Sequence, residues 1–177
     1  MNIIIERLGS EDEESLYRFE LENRSFFEEM VPTRGDDYYK LEVFKIRHES
    51  LLEEQLKGVS FFYLIKDENG LILGRINLVD IDGTQNIGHL GYRVGRQHTG
   101  KGVAGKALNL LVETVTKLGI KQIDAKTTTN NIASQKVLEK NGFELATTSD
   151  EEIEMNGQKL KFINYTWTNK RQCPACL

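Results

Sequence analysis

The sequence is poor in cysteine and proline and has no long apolar run. Of its 177 residues 2 are proline and 2 are cysteine, the latter at positions Cys173 and Cys176. Two thiolates are half of a tetrahedral zinc site, and no strand-and-helix context of a redox pair surrounds them. We therefore expect reduced thiols, no metal site and a cytoplasmic protein. No apolar run approaches the roughly 20 residues that span a bilayer, so no membrane segment is predicted.

Basic residues are also fewer than acidic residues. The chain has 23 Lys and Arg residues against 27 Asp and Glu residues, a formal net charge of −4. That balance argues against bulk binding to nucleic acid or anionic lipid, but it allows a local basic pocket for phosphates. The length suffices for one domain with its own core. We expect that domain to cover residues 1–168, followed by a C-terminal tail over residues 169–177.

One glycine-rich segment stands between a strand pattern and a helix pattern. It consists of Gln97, His98, Thr99, Gly100, Lys101, Gly102, Val103 and Ala104. Residues 87–94 before it are apolar and small, and after it apolar residues recur at steps of three and four. Glycines at a strand-to-helix turn let backbone amides converge on a ligand, and the helix dipole adds positive partial charge. The segment predicts an anion-binding loop.

The same glycines also fit a dinucleotide-binding fingerprint. Gly100, Gly102 and Gly105 have the G-x-G-x-x-G spacing, and Asp124 follows about 20 residues later, where such folds place a ribose-binding acid. Three strand patterns joined by turns precede the loop, however, whereas a dinucleotide-binding fold has its glycines directly after a first parallel strand. The order of elements therefore disfavours this alternative without removing it.

The remaining periodicities predict one mixed α/β domain. Strand patterns cover residues 3–7, 59–65, 71–81, 87–94, 120–127 and 143–147, and a last hairpin turns on Asn156-Gly157. Helical patterns run from about residue 10 to the interruption at Pro32, over about 36–56, after the glycine loop, and after Asn131. His48 lies on an apolar face of the second helix, and we expect it to be structural.

These elements in this order resemble the GNAT superfamily of acyl-CoA N-acetyltransferases. The motif residues are Gln97, Gly100, Gly102, Asn131 and the pair Gly142-Phe143. The segments Glu22-Asn23-Arg24, Leu90-Gly91-Tyr92 and 131–134 are similar to the ribosomal-protein N-terminal acetyltransferase branch. The resemblance implies a twisted, mixed, mostly antiparallel sheet of six to seven strands, with helices on both faces and a splay between the fourth and fifth strands.

The resemblance also implies acetyl-CoA as the cofactor, lying in that splay. Its pantetheine amides would pair with the backbone of Tyr92, Arg93 and Val94, and its pyrophosphate would lie on the loop from Gln97 to Ala104. For Asn131 the alternatives are a helix cap and a cofactor contact. For Ser134 they are an early helix residue and, as in the ribosomal-protein branch, a group beside the thiol.

The catalytic residues are less clearly marked. Many GNAT enzymes have a tyrosine as the thiolate proton donor where this chain has Leu138, so that role cannot be carried over. At the position of the branch's glutamate base the chain has Ile153, which leaves the neighbouring Glu152 as a candidate, with a solvated acidic strand as the alternative. Tyr92 and His89 are further candidates, and strand alternation puts them on opposite faces of the sheet.

The sequence therefore predicts an acetyl-CoA-dependent N-acetyltransferase in which an amine attacks the thioester directly in a ternary complex. By resemblance, the expected acceptor is the N-terminal α-amine of a ribosomal protein. A small-molecule amine, such as a polyamine, amino acid or antibiotic, is the alternative, and a non-catalytic acyl-CoA-binding module is another. We expect a monomer or homodimer that has neither nucleic acid nor membrane as a direct partner.

Overall fold

A seven-stranded sheet with helices on both faces forms the domain. The structure is a computed structural model that describes residues 2–170, so Cys173 and Cys176 lie outside the described residues. The strands are β1 (Ile3–Arg7), β2 (Phe61–Asp67), β3 (Ile72–Asp82), β4 (Ile87–Val94), β5 (Gln122–Thr128), β6 (Glu144–Met155) and β7 (Gln158–Thr168). The helices are α1 (Glu13–Glu22), α2 (Arg24–Met30), α3 (Leu41–Lys57), α4 (Val103–Lys117) and α5 (Ile132–Lys140).

The strand order across the sheet is β1-β2-β3-β4-β5-β7-β6. Among the strands of residues 2–170, β4 and β5 alone run parallel, and the other neighbouring pairs are antiparallel. The predicted fold class is therefore confirmed, with seven strands. No helix within residues 2–170 is long and apolar enough to cross a membrane.

Helices α4 and α5 cover one face of the sheet. Leu108, Leu111 and Val115 follow one another at steps of three and four along α4, and all three are fully buried. This spacing puts them on one stripe of the helix, which packs against sheet residues such as Ile76 and Ile123. Because the chain passes from β4 into α4, the packing holds the start of α4 close to the end of β4.

Helices α1, α2 and α3 cover the opposite face. Their core is rich in aromatic residues, and Phe19, Phe27 and Phe44 each come from a different helix. Strand β2 contributes to both cores, because Tyr63 belongs to the first core and the adjacent Phe62 to the second. Two separate layers of side chains are thus packed on one sheet.

The parallel strands β4 and β5 separate part-way along their length. Their pairing runs from Ile87 opposite Gln122 to Leu90 opposite Ala125. Both strands continue beyond this point, β4 to Val94 and β5 to Thr128. From residue 91 onward, β4 is paired with β3 but not with β5, which leaves one row of its backbone groups facing a cleft. The predicted splay is present.

The structure differs from the sequence expectations in two helical regions. The first predicted helix is interrupted at Asn23, whose side chain donates to the carbonyl of Phe19 (2.9 Å) and accepts from the amide of Arg96 (2.9 Å). The second predicted helix begins later, because Lys40 is extended, with φ −77° and ψ 128°, and separates a 3₁₀ turn from α3. Strand β6 extends to Met155, well beyond residues 143–147, where the sequence predicted a strand. The prediction was too short because most residues of β6 are exposed and show no apolar pattern.

His48 has a structural position, in agreement with the expectation from the sequence. Its side chain is buried on α3, and its Nε2 lies 2.9 Å from the carbonyl oxygen of Gly9. The contact ties α3 to the segment between β1 and α1.

Candidate active site

A cavity of about 620 Å³ opens where β4 and β5 separate. Successive residues of a strand face opposite sides of the sheet, so neighbouring side chains of β4 line different parts of this cavity. Tyr92 lies on the side of α5, together with Ser134 and Leu138, which we call the α5 side. Arg93 lies on the opposite side, together with Phe27, which we call the α2 side.

The glycine loop forms one end of the cavity. Gly100 and Gly102 have φ values of +70° and +78°, and no atom lies within 4 Å of the position that a Cβ would take at either residue. The first hydrogen bond of α4 runs from the amide of Lys106 to the carbonyl of Gly102 (3.1 Å). The amides of the three residues before Lys106 therefore have no partner within the helix, and they lie at its positive end.

Most of the predicted cofactor-binding residues line this cavity. They are Tyr92, Arg93, Val94, His98, Thr99, Gly100, Gly102, Val103, Ala104, Asn131 and Ser134. Gln97 and Lys101 are exposed and do not line it. The loop therefore faces the cavity with backbone amides and small residues, and Lys101 is not part of the cavity lining.

Two hydroxyl groups meet on the α5 side. The Oγ atom of Ser134 lies 2.9 Å from the Oη atom of Tyr92. Asn131 caps α5, since its Oδ1 accepts from the amide of Ser134 (3.1 Å), and this bond fixes where the serine sits. Burial raises the pKa of Tyr92 above its ordinary value, although the bond to Ser134 acts in the opposite direction. Both hydroxyls are therefore protonated near neutral pH and able to donate a hydrogen.

The other catalytic candidates lie elsewhere. Glu152 is on β6, where its carboxylate is 3.6 Å from Nζ of Lys159 and its side chain is 53% exposed. It does not line the cavity, and neither does the exposed His89. Leu138 does line it and is buried, so an apolar side chain stands where many relatives would have a tyrosine. The structure thus brings Ser134 and Tyr92 together and leaves Glu152 apart from them.

A cluster of charged residues on the α2 side was missed in the sequence. Glu20 is 0% exposed, and its two oxygens lie 2.9 Å from Arg75 and 3.1 Å from Arg93. Burial raises the pKa of Glu20, but the attraction of the two arginines is stronger and leaves that pKa below its ordinary value. Arg75 alternates with the apolar Ile76 along β3, and the face of β3 that carries Arg75 is covered by α1.

The charge of the cavity wall has one sign. Its charged lining residues are Arg34, Arg75, Arg93 and Lys126, and no Asp or Glu among residues 2–170 lines it. Two buried polar atoms of lining residues, Oδ1 of Asn77 and Nδ1 of His98, have no hydrogen-bond partner in this part of the chain. Buried polar atoms are normally paired, so both are available to a bound ligand.

The family follows from a match that covers most of the chain. Residues 2–144 match the sequence model of the Acetyltransferase (GNAT) domain. The chain belongs to the GNAT family. It is an N-acetyltransferase and uses acetyl-CoA as its acetyl donor.

Individual relatives agree with this assignment over nearly their full lengths. Probable N-acetyltransferase YjcK of Bacillus subtilis (strain 168) is 29% identical over 158 residues, which are 88% of this chain and 87% of that protein. Ribosomal-protein-S5-alanine acetyltransferase from Vibrio fischeri has a TM-score of 0.89 at 23% identity, covering 98% of this chain and 97% of that one. RimL, a ribosomal L7/L12 α-N-protein acetyltransferase in complex with coenzyme A, has a TM-score of 0.85 at 18% identity, covering 95% and 94%.

The residues of this GNAT acetyltransferase fit the cofactor. When bound, acetyl-CoA supplies an activated acetyl thioester. The open glycine loop and the start of α4 offer amides to a pyrophosphate, as helix N-termini do in other phosphate-binding proteins. The unpaired edge of β4, from Gly91 to Val94, offers backbone groups to the amides of a pantetheine arm, in the manner of an added strand.

Proposed function

We propose that this GNAT enzyme acetylates the N-terminal α-amine of a protein, and that the amine reaches the thioester from the α2 side of the cavity. The observation that supports this acceptor most directly is the composition of the cavity wall, which has no carboxylate in the described part of the chain. An α-amine has a pKa of about 7.7–8.0, compared with about 10.4 for a lysine side chain. It is partly neutral at physiological pH and needs little help from a base.

The same wall disfavours polyamines and aminoglycosides. Such acceptors carry several positive charges, which would meet Arg34, Arg93 and Lys126, and no acidic lining residue within residues 2–170 compensates for the repulsion. The names of two structural neighbours refer to ribosomal proteins, one to an alanine of S5 and one to L7/L12. They support the narrower proposal that the acceptor here is a ribosomal protein, modified in the cytoplasm.

The proposed reaction is one direct transfer. The neutral amine attacks the thioester carbon, a C–N bond forms, the C–S bond breaks, and the amine proton passes to solvent. Backbone N–H groups on the unpaired edge of β4, near Tyr92 and Val94, polarise the acetyl carbonyl. Ser134 passes a proton from Tyr92 to the departing thiolate through their hydrogen bond, and the solvent that takes up the amine proton returns one to Tyr92.

The first prediction concerns the acceptor. Release of free thiol from acetyl-CoA is measured with a peptide that has a free N-terminus and one internal lysine, with the same peptide acetylated at its N-terminus, and with spermidine. We expect turnover with the free N-terminus alone, and kcat/KM that rises with pH through about 7.7–8.0 as the α-amine loses its proton.

The blocked peptide is the matched control, because it keeps the lysine and removes only the α-amine. Equal turnover of both peptides would point to lysine as the acceptor. Turnover of spermidine with both peptides inert would contradict the proposal and support a small-molecule acceptor.

A further inference from the structure

The α2 side of the cavity has more positive charge than its own buried acid can balance. Glu20 contacts Arg75 with one oxygen and Arg93 with the other. A third guanidinium lies near them, because Nη1 of Arg34 donates to the Oη atom of Tyr38 (2.6 Å), and Arg34 acts electrostatically on Glu20 while Tyr38 acts on Arg75. All three arginines line the cavity and the single carboxylate does not.

Two acidic residues in or just after α2 already have another partner. Glu28 and Asp36 both form ion pairs with Arg24, with a distance of 3.0 Å between Arg24 and Glu28. The guanidinium of Arg24 also lies over the ring of Tyr39, 4.3 Å from its centre, which holds it in place. Neither Glu28 nor Asp36 lines the cavity. The excess charge of the other arginines therefore faces the cavity.

Most N–H groups of the Arg93 guanidinium have no hydrogen-bond acceptor within residues 2–170. A guanidinium has five N–H groups. Within residues 2–170, the side chain of Arg93 forms one hydrogen bond, to Glu20. The side chain is 15% exposed and lies over the ring of Phe27, 4.7 Å from its centre. Burial lowers the pKa of Arg93, and repulsion from Arg34 and Arg75 adds to this effect against the attraction of Glu20. The arginine is thus held in a fixed orientation with charge left uncompensated.

We infer that Arg34 and Arg93 bind a carboxylate of the acceptor, close to the amine that is acetylated. Guanidinium groups suit this ligand because their planar fork matches the two oxygens of a carboxylate. Oδ1 of Asn77 lies in the same wall with no hydrogen-bond partner among residues 2–170, and it accepts a hydrogen bond from an N–H group of the same ligand. Together the three side chains recognise an amine-bearing group with a carboxylate beside it.

The inference rests on the proposed function, because for a protein acceptor it places an acidic residue directly after the residue that is acetylated. The other source of the same chemistry is a free amino acid, whose own α-carboxylate lies next to its amine. The experiment therefore tests peptides, for a protein acceptor, and free serine with serine amide, for an amino-acid acceptor.

Binding is measured by calorimetry in the presence of coenzyme A, so that the result does not depend on turnover. The probes are two hexapeptides amidated at the C-terminus, one starting Ser-Asp and one starting Ser-Asn, and otherwise identical. We expect about tenfold tighter binding of the Ser-Asp peptide, as for a hydrogen bond to a charged group. The difference should shrink as salt rises from 50 to about 500 mM. Equal affinities, or tighter binding of the Ser-Asn peptide, would overturn the inference.

The variants Arg34→Gln and Arg47→Gln show which guanidinium is responsible. Arg47 also lies over the ring of Tyr38, 5.5 Å from its centre, but it does not line the cavity. We expect Arg34→Gln to remove most of the preference for Ser-Asp and Arg47→Gln to keep it, with similar thermal unfolding for both variants. If both variants keep the full preference, Arg34 does not bind the anion.

Free serine and serine amide separate this inference from the proposed function. If neither peptide binds, but free serine binds about tenfold more tightly than serine amide and is acetylated, the carboxylate site stands and the protein acceptor is wrong. If peptides are acetylated without regard to the second residue, the protein acceptor stands and the carboxylate site is wrong.

Discussion

At the scale of single residues, the site lacks the tyrosine that many GNAT enzymes have and contains a hydrogen-bonded tyrosine and serine. Leu138 lies where many GNAT enzymes have their tyrosine, and it is buried among apolar groups. On the same α5 side of the cavity, Tyr92 and Ser134 form a hydrogen-bonded pair at 2.9 Å. Serine alone has a short reach, but the cap at Asn131 fixes its position and Tyr92 provides a second donor behind it. Under the proposed mechanism, this pair takes the place of the usual tyrosine as the proton source.

We predict that Ser134→Ala lowers kcat by about tenfold to a hundredfold, because the leaving thiolate loses its direct donor and water substitutes only in part. Tyr92→Phe should have a smaller effect in the same direction, since it removes only the second hydroxyl. Steady-state thiol release checks both. Ser134→Thr is the matched control, as it keeps a hydroxyl at the same atom. A Ser134→Ala enzyme with unchanged kcat would remove this residue from the mechanism.

At the scale of elements, the turn from β4 into α4 is the part of the site that local sequence describes best. Its requirements are local, namely glycines with positive φ and free amides at the start of a helix. One further support is remote, because Asn23 at the junction of α1 and α2 accepts from the amide of Arg96 at 2.9 Å. The sequence showed Asn23 as part of a motif and did not show this contact. The loop is thus held from both faces of the sheet.

We predict that Gly102→Asp abolishes measurable binding of coenzyme A. The backbone at this position has φ +78°, which aspartate adopts only with some strain, and the carboxylate would repel the pyrophosphate. Gly102→Asn is the control, because asparagine tolerates the same backbone conformation and is neutral, and it should keep more of the affinity. Calorimetry measures binding, and thermal unfolding shows whether each variant folds. Full affinity in Gly102→Asp would contradict the placement of the pyrophosphate.

At the scale of the whole molecule, one buried carboxylate joins the helical layer to the sheet. Glu20 belongs to α1, while its partners Arg75 and Arg93 belong to the neighbouring strands β3 and β4. Breaking a buried pair is costly because it leaves uncompensated charges inside the protein. The two arginines of this cluster also line the cavity, so the cluster contributes both to the stability of the fold and to the positive charge of the cavity wall.

We predict that Glu20→Gln lowers the free energy of unfolding by about 3 kcal/mol at neutral pH. Because the pKa of Glu20 is lowered in the folded state, its stabilisation is present above the ordinary glutamate pKa and is lost as pH falls through the folded value. The difference between wild type and variant should therefore shrink below about pH 4.3. Urea unfolding at several pH values measures it.

Glu14→Gln is the control on the same helix. Glu14 forms an exposed ion pair with Arg18, which solvent screens, so its removal should change stability little at any pH. A pH-independent effect of Glu20→Gln would show that the variant acts by altered packing and not through the lost charge.

The amino-acid sequence by itself determined the three strands before the glycine loop and the strand-to-helix turn that follows them, and its resemblance to the GNAT family implied the splay between β4 and β5 and the use of acetyl-CoA. The strands and the turn depend on periodicity, glycines and caps, all of which act within a few residues. Only the tertiary structure brought Glu20 to Arg75 and Arg93, which are 55 and 73 residues away along the chain. It also left Glu152 outside the cavity. Alternation along a strand tells which residues share a face, but whether that face meets water or a second layer of helices depends on packing between distant segments.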